Sequence, residues 1–246
     1  MRCLKLLPVV TALALAACGP NESQKQEIAE KKRIECLDML CDGDVEPKRE
    51  IAKEVVFKRN GQWYVAPKDY FAAGDGAAGF YWPGRQPLYN AGRSPEIQGK
   101  KFYDVAVEIF LTGRQRWPEP QVEKPWERVE GMPPYWRELQ SRGMTIKRNP
   151  VAPNLERVEF TKADGTRDRT VYYVATEQKR LRGNGPPILS CDVSMPPHPH
   201  DRCFGGGYWQ NDVLADFRFR ATHAADWPAI HQEIVRVLNL AKKAQP

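Results

Sequence analysis

The spacing of hydrophobic positions changes several times along this chain. Leu6 to Leu15 is almost wholly apolar, and the stretch from Gly19 to Glu35 is almost wholly polar and charged. Shorter β-rich runs then appear. EVVFKR and QWYVA flank Asn60-Gly61, the preferred dipeptide of a type I′ hairpin. FYDVAVEIFL over 102–111 reads as a strand with Val105, Val107, Ile109 and Leu111 on one face. LERVEF and RTVYYVAT flank the turn Ala163-Asp164-Gly165-Thr166, which predicts a second hairpin. Ile188 to Val193 reads as a further strand. From Leu214 to Ala221 the alternation is clean: Ala215, Phe217, Phe219 and Ala221 oppose Asp216, Arg218 and Arg220, as in a half-solvated antiparallel strand.

The period changes to a helical one near the end. Trp227, Ile230, Ile234, Val235, Leu238 and Ala241 recur at helical spacing, with Asp226 as N-cap and Pro228 in the first turn. Lys242 and Lys243 complement the dipole at the far end. Pro133-Pro134 opens a short helix, YWRELQSRG, that closes at Gly143, after a proline-rich crossing loop over 113–134. These elements predict an α+β domain: an antiparallel sheet of about six strands with one or two packed helices, including a C-terminal helix.

The first apolar run is too short to span a bilayer, and Arg2 and Lys5 precede it, as in a secretory signal. It ends in Leu15-Ala16-Ala17-Cys18, which resembles the lipobox of bacterial lipoproteins. That resemblance implies cleavage before Cys18 and acylation of its thiol and amino group. More than one acyl chain anchors a protein stably to a membrane. Resemblance to enterobacterial lipoproteins, with Gly19 in place of an aspartate, implies outer-membrane sorting, facing the periplasm. The chain then divides into a signal peptide (1–17), a lipidated cysteine and tether (18–35), and one globular domain (36–246). Good helix formers in QKQEIAEKKR allow a short helix in the tether, with no apolar face to bury.

Six cysteines are present; Cys3 leaves with the signal and Cys18 carries lipid. The remaining even set, Cys36, Cys41, Cys191 and Cys203, reads as two disulfides in an oxidising compartment, with the local pairs favoured over crossed ones. A rival reading notes that Cys191, His198, His200 and Cys203 are zinc ligand types, although their spacing matches no common zinc motif. His198 and His200 alone are the weaker metal alternative.

Composition narrows the classes. The chain has 246 residues, 41% hydrophobic, 10% aromatic and 28% charged, which excludes a multi-span membrane protein and wholesale disorder. Net charge is +6, and loss of Arg2 and Lys5 with the signal leaves +4. The positives are dispersed, with Lys179-Arg180-Leu181-Arg182 the densest run, so nucleic acid is not an expected partner.

No complete catalytic motif is present. Gly74 to Gly79 fits G-x-G-x-x-G, but Phe80-Tyr81-Trp82-Pro83-Gly84 follows and does not continue a helix. No serine stands in G-x-S-x-G or S-x-x-K. His231 lies on the apolar side of the last helix, where a buried, hydrogen-bonded histidine is expected; His223 is placed to pair with Asp226. Asp104 and Glu108 form a conceivable carboxylate pair. No cofactor is implied.

Gly74 to Gly79 and Gly205-Gly206-Gly207, which has no Lys-Ser or Lys-Thr after it and so is not a P-loop, both read as loops that abut aromatics. Phe80, Tyr81, Trp82, Phe204, Tyr208 and Trp209 are therefore the candidate binding surface, against the alternative that they fold into the core. The lipobox at Cys18, the charged tether, the ECLDMLCDGDVEP element and a cysteine-bearing domain without catalytic motifs together resemble periplasmic immunity lipoproteins of type VI secreted phospholipase toxins. That resemblance implies a protein that binds and blocks a secreted toxin. The other classes are an envelope glycan or lipid hydrolase and a metal-binding envelope lipoprotein.

The lipobox makes a direct prediction. Wild-type chain should incorporate labelled palmitate, and Cys18→Ala should abolish the label and leave a larger, uncleaved chain. An unlabelled wild type, or a Cys18→Ala chain that still takes up label, would refute lipidation at this cysteine.

Overall fold

The computed structural model describes residues 21–74, 76–89, 99–113, 136, 139–181, 185–194, 196 and 198–245. Cys18 with its lipobox, and the crossing loop beyond Gly113, lie outside the described residues. By contacts the chain divides into two units, 1–33 and 34–246. Most of the first helix, α1 (Glu22–Glu35), belongs to the first unit. Asn21 Oδ1 accepts the Gln24 N–H at 2.8 Å while Gln24 Oε1 accepts the Asn21 N–H at 3.0 Å, a reciprocal capping box. No residue of α1 is buried.

The second unit carries eleven strands among the described residues, not six. β1 (Glu54–Arg59), β2 (Gln62–Pro67) and β11 (Lys242–Ala244) form a small antiparallel sheet in that order. The other eight form a large antiparallel sheet, in the order β3 (Ala78–Tyr81), β4 (Ala106–Gly113), β10 (Val213–Arg220), β9 (Arg202–Tyr208), β8 (Ile188–Asp192), β7 (Arg167–Ala175), β6 (Leu155–Thr161), β5 (Thr145–Ala152). Two further helices are α2 (Phe102–Val105) and α3 (Trp227–Leu238).

Both predicted hairpins form. Asn60 and Gly61 have φ of 49° and 74°, the double left-handed conformation a type I′ turn requires. Three predictions are corrected. Residues 102–105 are helical, so the strand starts at Ala106, and Val105 leaves the row of Val107, Ile109 and Leu111. Helix α3 stops at Leu238, and Lys242 and Lys243 instead extend the small sheet by pairing with Val65 and Tyr64. The triple glycine 205–207 is strand, not loop. A Cβ on Gly205 would lie 2.2 Å from Phe217 Cε2, so only glycine lets the Phe217 ring cross β9.

Strand alternation puts the core on one face of the large sheet. Val107, Ile109, Leu111, Val213, Ala215, Phe217 and Phe219 pack there with Phe57, Tyr64 and Phe71 from the small-sheet side and with Trp227, Ile230, Ile234, Val237 and Leu238 of α3. Burying each large side chain contributes roughly 1.5–3 kcal/mol before chain entropy is counted. Beneath β6–β8 the other face holds a second cluster, in which Trp136 and Leu139 cover Val158, Phe160, Tyr172, Val174 and Ile188. The Cys36–Cys41 and Cys191–Cys203 disulfides are both formed. The second joins directly opposed residues of β8 and β9.

His231 is 3% exposed. The amide of Gln178 donates to the Pro228 carbonyl at 2.7 Å, so its oxygen faces His231 Nδ1 at 2.9 Å. Burial lowers the His231 pKa from 6.5 to about 4. Between these values the unfolded chain binds a proton that the folded chain does not. Stability should therefore fall as pH drops from 6.5 to 4, by up to about 3 kcal/mol. Urea unfolding across that range should show the slope in wild type and a reduced slope in His231→Gln; equal slopes would assign the pH dependence to other groups.

Candidate functional site: an aromatic and cationic face

The other face of the large sheet, over β3, β4, β10 and β9, is polar and aromatic. Its row through the sheet centre runs Glu108, Arg218, Phe204, Ser190 across β4, β10, β9 and β8. Arg218 forks onto Glu108 at 2.8 and 3.1 Å and lies 4.7 Å over the Phe110 ring. The Glu108 bond holds the Arg218 guanidinium pKa above its ordinary value. Phe204, opposite Arg218, is 38% exposed.

Beside this row sits an aromatic chain. Tyr81 meets Phe102 at 6.0 Å, Phe102 meets Tyr103 at 5.1 Å, and Arg202 lies 5.5 Å over the Tyr103 ring. Phe102 and Tyr103 are 41% and 53% exposed. The turn after β3 is closed by two backbone bonds, Arg85 N–H to Tyr81 O at 2.7 Å and Tyr81 N–H to Gln86 O at 2.9 Å, and contains a cis Trp82–Pro83 bond. It carries Arg85 5.5 Å over the Trp82 ring. Burial raises the Tyr81 phenol pKa, so this hydroxyl stays protonated.

A polar network supports these groups from below. Trp82 Nε1 donates to Asp226 Oδ2 at 2.8 Å, and His223 Nδ1 is 4.0 Å from the same oxygen. The His223 Nε2–H bonds the Asp104 carbonyl at 2.9 Å. Arg220 reaches Asp104 Oδ1 at 3.3 Å and the His200 carbonyl at 2.9 Å. Arg220 is buried, unlike the solvated residue its strand position predicts. Asp226 occupies the N-cap position of α3 without capping it, because its carboxylate serves Trp82 instead. Asp201 ties the proline-rich loop, accepting from Ser194 Oγ at 2.6 Å and from the Ser194 and His198 N–H groups, and these bonds lower its pKa.

The sequence candidates separate here. Phe80, Tyr81, Trp82 and Trp209 are buried; Trp209 packs on Tyr64 at 5.2 Å and Phe80 on Trp82 at 6.5 Å. Phe80 and Trp209 are therefore corrected from contact surface to core, while Tyr81 and Trp82 are buried residues whose remaining surface lines a recess at the edge of the face. Tyr208 is half-buried, and Phe204 alone of the six is exposed. Asp104 and Glu108 do not form a reactive pair, since each is held by its own arginine. Cys191 and Cys203 are joined to each other, which removes them as zinc thiolates. The His198 and His200 rings lie 4.9 Å apart, and His198 Nδ1 accepts the His200 N–H at 3.1 Å. Among the described residues no group of three metal-ligating side chains converges. The Gly74–Gly79 motif enters β3 rather than a helix, so it presents no helix N-terminus to a phosphate.

Sequence reasoning missed Lys100, Lys101, Phe102, Tyr103, Arg85 and Arg202. The available signal is the run Lys100-Lys101-Phe102-Tyr103, two cations then two aromatics, of which the strand reading over 102–111 takes in Phe102 and Tyr103. No protein-family model, curated protein or solved structure matches the chain.

The Trp82–Asp226 bond can be tested by a double-mutant cycle. Asp226→Ala and Trp82→Phe should each destabilise the fold, and their coupling in urea unfolding should be about 1 kcal/mol. Strict additivity would show that this bond does not hold the turn.

Proposed function

We propose that the chain is a lipid-anchored, periplasm-facing protein that binds another protein through this outer face, as an antagonist of a secreted antibacterial toxin. The observation that carries the binding reading is the exposed Phe102–Tyr103 pair with Arg202 over Tyr103 and the exposed Phe204 two residues beyond Arg202 on the same strand. Tyrosine, tryptophan and arginine are the residue types that dominate interface hot spots. The face stands on a disulfide-linked, hydrogen-bonded sheet, so little order has to be gained on binding. Two disulfides suit an oxidising compartment, and the lipobox supports the anchor and its location. The resemblance to immunity lipoproteins supplies the toxin as the kind of partner.

The test combines capture and sensitivity. In vivo crosslinking to the full chain should recover a protein partner. Joint substitution of Phe102, Tyr103 and Phe204 by Ala should weaken it at least about tenfold with an unchanged thermal midpoint. Deletion of the gene should sensitise cells to toxin-bearing competitors. A partner indifferent to the triple substitution would overturn the assignment of this face. A deletion strain no more sensitive than its parent would overturn the antagonist role.

A further inference from the structure

A recess of about 320 Å³ opens at the edge of this face, walled by Tyr81, Trp82, Pro83 and Val105 and carrying Gln86 and Lys100 in its lining. Its size is at the small end of ligand sites and suits one large side chain. Two observations say what would enter. First, the Gln86 side chain borders the recess, and its Oε1 is turned onto Gly84, shut off from solvent and without a donor among the described residues. A buried acceptor left unpaired costs free energy that an incoming N–H would recover once the amide turns toward the recess. Second, Lys100 lies in the lining, Arg85 rests on the Trp82 wall, and Arg202 lies farther along the aromatic chain, over Tyr103; neither they nor the exposed Lys101 make an ion pair among the described residues. Two neighbouring carboxylates are already engaged, Asp104 by Arg220 and Asp226 by Trp82, while Asp192 stands opposite Arg202 on β8. The rim is thus positive, aromatic and open.

We propose that this recess receives an acidic peptide segment of the protein partner. One apolar side chain of the segment fills the space between Tyr81, Trp82 and Val105. A backbone N–H of the segment donates to Gln86 Oε1. Its flanking Asp or Glu side chains pair with Lys100, Lys101, Arg85 and Arg202. A flat anionic bilayer would meet the same cations, but it delivers no directional N–H into a recess. The proposal rests on the protein-binding reading above and adds the chemistry of the ligand. Arg85 adopts a left-handed φ of 60°, uncommon for an arginine, and its guanidinium lies 5.5 Å over the Trp82 ring.

Random short peptides displayed on phage should be selected against the full chain carrying Cys18→Ala, with Lys100→Glu/Lys101→Glu protein as counter-selector. The expected sequences have an apolar residue flanked by Asp and Glu. Fluorescence anisotropy should then show binding that weakens with salt and falls at least about tenfold in the double lysine variant. Gln86→Leu should weaken binding while the thermal midpoint holds or rises, because an orphan acceptor is removed. Arg85→Gly should keep the fold and lose affinity. Selected peptides without acidic residues, or binding unchanged in these variants, would overturn the proposal. So would phosphatidylglycerol vesicles that retain the wild-type chain and release the lysine variant when no peptide binds. A crosslinked partner that binds all the recess variants normally would refute this site and leave the protein-binding reading intact. Acidic peptides bound here with no partner recovered would do the reverse.

Discussion

The buried carboxylate of Asp38 joins the β1–β2 turn to the end of β4. It is 3% exposed and accepts the Asn60 N–H at 2.9 Å and the Gly113 N–H at 2.6 Å. Those groups sit at the β1–β2 turn and at the end of β4, so one side chain spans the small and large sheets. Arg59, also buried, donates to the carbonyls of Leu111, Asp38 and Lys58. The Cys36–Cys41 disulfide closes the loop that presents Asp38. Buried charges are tolerated only when their bonding capacity is met, and removing one partner of such an arrangement typically costs about 3–5 kcal/mol. The node therefore fixes where the small sheet meets the large one, and the apolar contacts of Phe57 and Tyr64 follow from that placement.

With the small sheet and α3 placed, the central strands of the large sheet have one face fully occupied. Their inner residues carry almost all the apolar volume, including the Phe217 ring laid across Gly205. The outer residues of β4, β9 and β10 are then released from packing and can be Glu108, Arg202, Phe204, Asp216 and Arg218. This is the usual freedom of an antiparallel sheet packed on one side. Here the freed positions are not a uniform solvated surface, because aromatic rings stand among paired and unpaired charges.

The legible parts of the fold were those whose local and tertiary demands agree. Asn60-Gly61 dictates its turn whatever surrounds it, and the Trp227–Leu238 periodicity survives because α3 has one buried stripe. The local disulfides were readable from spacing and turn residues. Four strands were not legible. β5 is exposed along most of its length and contains Pro150, so it has no alternation to read. β3 and β9 hold glycines whose reason is a neighbour distant in sequence, as with Gly205 and Phe217. β11 has three residues and exists only because β2 offers it an edge. The aromatic prediction failed for the same reason: whether Phe80 or Trp209 faces out depends on the volume the inner face needs, and that volume is set by Phe57, Tyr64 and α3.

The same logic explains why the candidate site lies where no motif marked it. A catalytic centre requires specific groups at fixed distances, and such spacing often leaves a trace in sequence. A recognition face requires only that suitable side chains escape the core and remain uncommitted. Tyr103 and Phe204 escape because α2 and the outer side of β9 carry no helix over them among the described residues. Lys100, Lys101, Arg85 and Arg202 make no ion pair among the described residues, and Asp104 and Asp226 are consumed in holding the turn and α2. The Trp82 and Tyr103 rings hold Arg85 and Arg202 by cation–π contact, which leaves both guanidiniums able to pair with an anion, so the acidic character proposed for the ligand follows from how the fold has already spent Asp104 and Asp226.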